Sequence, residues 1–99
     1  MPKKPETLLA EKIVKALNSK LGGYWVNIHG SPFQSRGIPD ITGCYNGVYI
    51  GIEVKMPGKG NTLSKYQELN IKKINEAGGR ATMVESVNEA LNFVKEGRK

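Results

Sequence analysis

The chain has 99 residues, with fifteen Lys and Arg against nine Asp and Glu and a net charge of +6. That length is expected to make one domain, residues 1–99, with a modest core that oligomerisation would support. The positive balance favours a polyanionic partner, nucleic acid before an anionic membrane. No run approaches the roughly 18 apolar residues that span a bilayer.

Residues 1–5 read as a basic, Pro-flanked tail with no apolar stretch behind it, so no signal peptide is expected. Leu9, Ile13, Val14, Leu17 and Leu21 then recur at helical spacing, which predicts a helix over 6–21 that stops at Gly22-Gly23. A strand is expected over 24–28, with Tyr24 and Trp25 as packing residues. A loop over 29–38 carries Gly30, Ser31, Pro32 and Ser35. His29 has no Cys or His partner at metal spacing and reads as a loop or strand-end residue that could touch DNA.

Two strands follow at about 40–45 and 48–55, joined by Asn46-Gly47. Both of those residues tolerate the positive φ of a type I′ turn. Cys44 is the only cysteine, so no intramolecular disulfide can form, which is compatible with a reducing intracellular location. Its mid-strand position suggests a small apolar filler. Pro57, Gly58 and Gly60 break the chain again. A helix is predicted over 65–77 with Leu69, Ile71 and Ile74 facing inward, ending at Gly78-Gly79. Residues 80–85 form a strand and 87–96 a last helix, opened by the capping-box pair Ser86 and Glu89. The order is α-β-β-β-α-β-α, an α/β fold with a small mixed sheet flanked by helices.

The hairpin brings chemistry together. With a two-residue turn, Tyr45 faces Val48, and counting outward sets Asp40 opposite Glu53. Val48, Ile50, Ile52 and Val54 make one apolar face, while Tyr49, Gly51, Glu53 and Lys55 occupy the other. Opposed like charges are destabilising, so two adjacent carboxylates call for a neutralising group, for which a divalent metal ion is the candidate. Gly43 and Gly51 are expected to face each other and to admit a close neighbour.

The segments Arg36-Gly37-Ile38-Pro39-Asp40, Glu53-Val54-Lys55 and Ser64-Lys65-Tyr66-Gln67 resemble the VRR-NUC family of the PD-(D/E)XK nucleases, in its stand-alone form found in phages and bacteria. The likeness runs from Glu6 to about Val94. It implies a restriction-endonuclease-like fold and hydrolysis of DNA phosphodiesters with Mg²⁺ or Mn²⁺. By that resemblance Asp40 and Glu53 hold the metal, and Lys55 orients or activates water or stabilises developing charge. Gln67 supports the site from the next helix, and a first-helix glutamate completes the acidic cluster. Glu6 fits the family spacing better than Glu11. The Val54 carbonyl is a further candidate ligand, since Mg²⁺ takes oxygen donors and needs only one or two carboxylates.

Two readings stay open for Gln67. Ser64 and Gln67 also form a capping box, and one amide does not easily fill both roles. Arg36, Lys59 and Lys65 are candidate phosphate contacts, which set affinity and salt dependence without reading sequence. The resemblance further implies a homodimer acting on branched DNA such as a four-way junction, in the cytoplasm, or the host's if phage-encoded. The alternatives are a monomeric flap nuclease or nickase, and a non-catalytic basic DNA-binding module.

Overall fold

Pro5 opens the first helix, α1 (Pro5–Lys20), because its fixed φ suits the first helical position and its missing N–H is not needed there. In this computed structural model, which describes residues 3–32, 34–58 and 60–97, the expected N-terminal tail is therefore shorter. Lys3 also reaches Glu11 at 2.7 Å. Ala10, Ile13 and Leu17 are fully buried along one helical stripe. Gly22 ends the helix at φ 77°, its N–H donating back to the Leu17 carbonyl. The left-handed conformation of that residue is what glycine supplies.

The sheet contains β1 (Tyr24–Asn27), β2 (Ile41–Tyr45), β3 (Val48–Val54) and β4 (Arg80–Val84) in that spatial order. β2 pairs antiparallel with β1 on one side and with β3 on the other, and β4 lies parallel to β3. Asn46 and Gly47 have φ values of 53° and 79°, and Tyr45 pairs with Val48 as the turn predicts. The parallel return to β4 passes through α2 (Lys65–Glu76), and α3 (Val87–Glu96) follows. The α-β-β-β-α-β-α order and the mixed, helix-flanked sheet match the sequence reading.

Two helices cover one face. Ile50, Ile52 and Val54 of β3 meet Ile13 and Leu17 of α1 and Ala90 and Val94 of α3 in a single apolar cluster. Each large aliphatic side chain buried there contributes about 1.5–3 kcal/mol. Trp25 joins this core and donates from Nε1 to the Gly22 carbonyl at 2.8 Å. The other face is covered by α2, which packs against β3 and β4. Gly51 makes that approach possible: a Cβ there would lie 2.9 Å from Pro39 Cγ and 3.2 Å from Ile74 Cδ1.

Several local expectations are corrected. Gly43 does not face Gly51; it pairs with Ile50, and Gly51 pairs with Thr42. The hairpin pairing conserves the sum set by Tyr45 and Val48, so partners lie an odd number of residues apart, whereas Gly43 and Gly51 lie an even number apart and cannot meet. Gly43 instead makes room for Trp25 and the Tyr24 carbonyl on the opposite face. Leu69 is not inward but 48% exposed, because Gln67, Asn70, Ile71 and Ile74 already fill the stripe of α2 turned to the sheet. Tyr24 and Cys44 are exposed rather than packed. They are cross-strand partners on the β1–β2 side of the sheet, whereas α2 packs mainly on β3 and β4. At α3, Ser86 accepts from the Glu89 N–H, but the Glu89 carboxylate takes the Glu85 N–H. No helix among the described residues is long and apolar enough to cross a membrane.

Candidate functional site

Asp40 sits one residue before β2 and Glu53 near the end of β3. The Ile41–Ile52 pair fixes the register, so the ladder continues to Asp40 opposite Glu53. Both carboxylates are buried, at 3% and 6% exposure. Burial of two adjacent acids is costly, and hydrogen bonds hold the arrangement.

Asp40 uses both oxygens. Its Oδ2 accepts from the Val54 backbone N–H at 2.8 Å. Its Oδ1 accepts from Gln34 Nε2 at 3.0 Å and lies 2.8 Å from His29 Nδ1. A carboxylate accepts, so the His29 proton in this contact is on Nδ1. Gln34 also donates to the Ile38 carbonyl and accepts from the Gly30 N–H, which folds the loop between β1 and β2 around Asp40.

Glu53 has a different environment. Its Oε2 accepts from Gln67 Nε2 at 3.0 Å and is 3.9 Å from Lys55 Nζ. Burial pushes the Glu53 carboxyl up to about 8. The Asp40 charge adds to that rise, as does a hydrogen bond that protonated Glu53 gives Asp40. Lys55 opposes the rise, and Glu6 adds a smaller upward push. Without a further cation, the fold thus disfavours two negative charges at this point.

The Gln67 alternatives are not alternatives. Its Oε1 accepts from the Ser64 N–H at 2.9 Å and completes the capping box. Its Nε2, the other end of the same amide, is the donor to Glu53. Acceptor and donor are separate atoms, so one side chain fills both places.

Glu6, Arg36, Asp40, Glu53, Lys55 and Gln67 line one cavity of 320 Å³. Glu11 lies elsewhere, paired with Lys3 on the surface. Arg36 stacks over the Tyr66 ring at 4.7 Å, which holds its guanidinium beside the opening. Lys65 is exposed at the start of α2 and does not line this cavity. Lys59 lies outside the described residues. His29 and Gln34 do line the cavity and were missed as site residues. Their only sequence signal is nearness to the motif, since the β1–β2 loop carries no register of its own.

The donor set suits a hard divalent cation. It comprises two carboxylates and, by peptide geometry, a carbonyl. The Lys55 N–H donates to Val84 on the β4 side, so the Val54 carbonyl of the same trans peptide points the other way, toward the β2 side where Asp40 lies. Among the described residues no group of three or more His, Cys, Asp and Glu side chains is gathered tightly enough to hold a metal. Two carboxylates with a carbonyl are sufficient for Mg²⁺, which keeps several waters, and are a poor match for the nitrogen and sulfur preference of zinc. No protein-family model matches the chain, and no curated protein matches it.

Proposed function

We propose that this protein is a metal-dependent endodeoxyribonuclease, with Asp40, Glu53 and the Val54 carbonyl as ligands of Mg²⁺ or Mn²⁺. The observation that carries the reading is the buried Asp40–Glu53 pair with Lys55 beside it. Glu53 is pushed up to about 8 in that pair, a cost that a binding module has no reason to retain and a metal ion offsets. When bound, the ion supplies Lewis acidity toward the phosphate and the attacking water.

The chain's own residues do the rest. Lys55 is a compact cation on the same strand face as Glu53, suited to hold a phosphate oxygen or the water's oxygen. Gln67 holds Glu53 by its Nε2. His29 and Gln34 orient Asp40 through Oδ1, as outer hydrogen-bond partners commonly do for ligating carboxylates. Glu6 adds a third acid at the cavity wall. Arg36, stacked on Tyr66, would contact a phosphate next to the cut.

The resemblance to the VRR-NUC family supports a branched substrate, a four-way junction, cut by a homodimer. A two-fold pair would place two sites in fixed relation for two opposed nicks. Action on DNA would place the protein in the cytoplasm. The test is a panel of linear duplex, single-stranded, flap and four-way-junction DNA, incubated with Mn²⁺ or with chelator. Cleavage only with metal, strongest on branched DNA, is expected. Binding that is equal with metal and chelator, with no product from any substrate, would replace this reading with the non-catalytic binding module.

A further inference from the structure

Glu6 lines two cavities. One is the site cavity, and the second is a separate hollow of 340 Å³ formed with Lys4, Pro5, Met56 and Asn61. It lies between the start of α1 and the segment after β3. A strand whose phosphate rests at Asp40 and Glu53 must pass Glu6 to go in this direction. The volume is at the lower end of the range that small-molecule pockets occupy.

The lining is suited to a nucleobase. The Pro5 ring and the Met56 thioether are apolar walls, and a thioether packs well against an aromatic ring. Asn61 is held in place from behind. Its Nδ2 donates to the Met56 carbonyl and, at 2.7 Å, to Glu85 Oε2. Both partners are acceptors, so the amide orientation follows, and Oδ1 is left to accept from a base edge. Lys4 is exposed and makes no ion pair among the described residues. Its ammonium is free for a neighbouring phosphate. A base stacked inside a duplex cannot enter such a side pocket, so its occupant must be unpaired.

The geometry points to this hollow as a subsite for one unpaired nucleotide flanking the scissile phosphate. The inference rests on the nuclease reading above and sharpens it. The preferred substrates carry an unpaired residue next to the cut, as at a flap base or an opened branch point, and fully paired duplex is a poor one.

Binding in chelator tests this without cleavage. A duplex with a short single-stranded tail is titrated with the protein, and the bases at and beside the branch point are removed one at a time to leave abasic sugars. One position should weaken binding by about 5-fold, no more than the lower end of what stacking a base on an aromatic side chain contributes, since the walls here are Pro5 and Met56. Met56→Trp, which fills the hollow, should bind the intact and abasic DNA alike. Met56→Ala, the fallback where the larger side chain disturbs folding, removes one wall and fills nothing, and it should show reduced discrimination. A flat abasic scan on the wild-type protein would overturn the subsite, as would discrimination that survives in a folded Met56→Trp. Mn²⁺-dependent cleavage together with a flat scan would discard the subsite alone. An abasic-sensitive position with no cleavage of any DNA would discard hydrolysis alone. Failure to bind any DNA would discard both.

Discussion

Gln67 donates from Nε2 to Glu53 Oε2 at 3.0 Å, while its Oε1 accepts from the Ser64 N–H at 2.9 Å. A helix cap and a buried acid are therefore coupled through one side chain. Ser64→Ala removes the hydroxyl that accepts from the Gln67 N–H and should cost about 0.5–2 kcal/mol of stability with cleavage retained. Gln67→Glu keeps an acceptor for the Ser64 N–H but sets a carboxylate against Glu53. It should fold with the helix intact and lose most activity. Melting temperature and cleavage rate on the two variants separate the roles, and equal, purely thermal effects would remove Gln67 from the site.

Lys55→Ala and Asp40→Ala should each lower the cleavage rate by about 100-fold or more, as loss of a charge-stabilising group typically does. They should differ in metal binding. An ammonium is not a ligand, so Lys55→Ala should still bind Mn²⁺, whereas Asp40→Ala should bind it weakly. Calorimetric titration of both folded variants checks this. Substantial residual cutting by either one would contradict the assigned site.

Glu53 makes stability depend on pH when no divalent metal is present. Its folded value is raised from 4.5 to about 8, so within that window the folded protein holds a proton that the unfolded chain releases. Stability from this group is complete below the unfolded value and is lost as pH rises through the folded value. The melting temperature in chelator should fall across that window relative to Glu53→Gln, which has no proton to lose. Mn²⁺ should restore it near the upper end for the wild-type protein only, with release of protons on binding. A wild-type minus Glu53→Gln difference that is flat with pH would contradict the raised carboxyl.

His29 tests the support around Asp40. His29→Ala removes the 2.8 Å contact to Oδ1 and leaves the Gln34 and Val54 contacts. Divalent affinity should fall about 10–100-fold, the range for outer partners of metal ligands. Unchanged affinity would make His29 a bystander.

DNA binding should weaken steeply with salt. Each phosphate neutralised adds about 0.9 to the slope of log affinity against log salt on duplex DNA. Lys3, Lys4, Lys59 and Lys65 are the basic residues nearest the site in sequence, and replacing Lys4 with Ala should reduce the slope by about 1. A slope near zero would rule out the electrostatic account.

Much of the site's frame is local, and the sequence determined it. Asn46-Gly47 admits few turns, and a period of two then carries the register from Tyr45–Val48 down to Asp40–Glu53. Ser64 and Gln67 announce a helix start by spacing alone, and Gly22 ends α1 by its backbone preference, whereas Pro5, read as part of the tail, proves to be the first residue of that helix. Tertiary structure decided what crosses between elements. His29 and Gln34 reach Asp40 only because the loop between β1 and β2 folds back on itself, and no periodic pattern encodes that path. Glu6 rather than Glu11 faces Glu53 because docking of Ala10, Ile13 and Leu17 on the sheet sets the rotation of α1. Leu69 points outward because Gly51 lets α2 approach through Ile74, leaving Leu69 on the far side. Gln67 holds both partners because α2 seats its first turn against the end of β3. Hydrogen-bond and turn preferences act over a few residues and are written in the chain, whereas helix rotation and loop closure are settled by packing among residues distant in sequence.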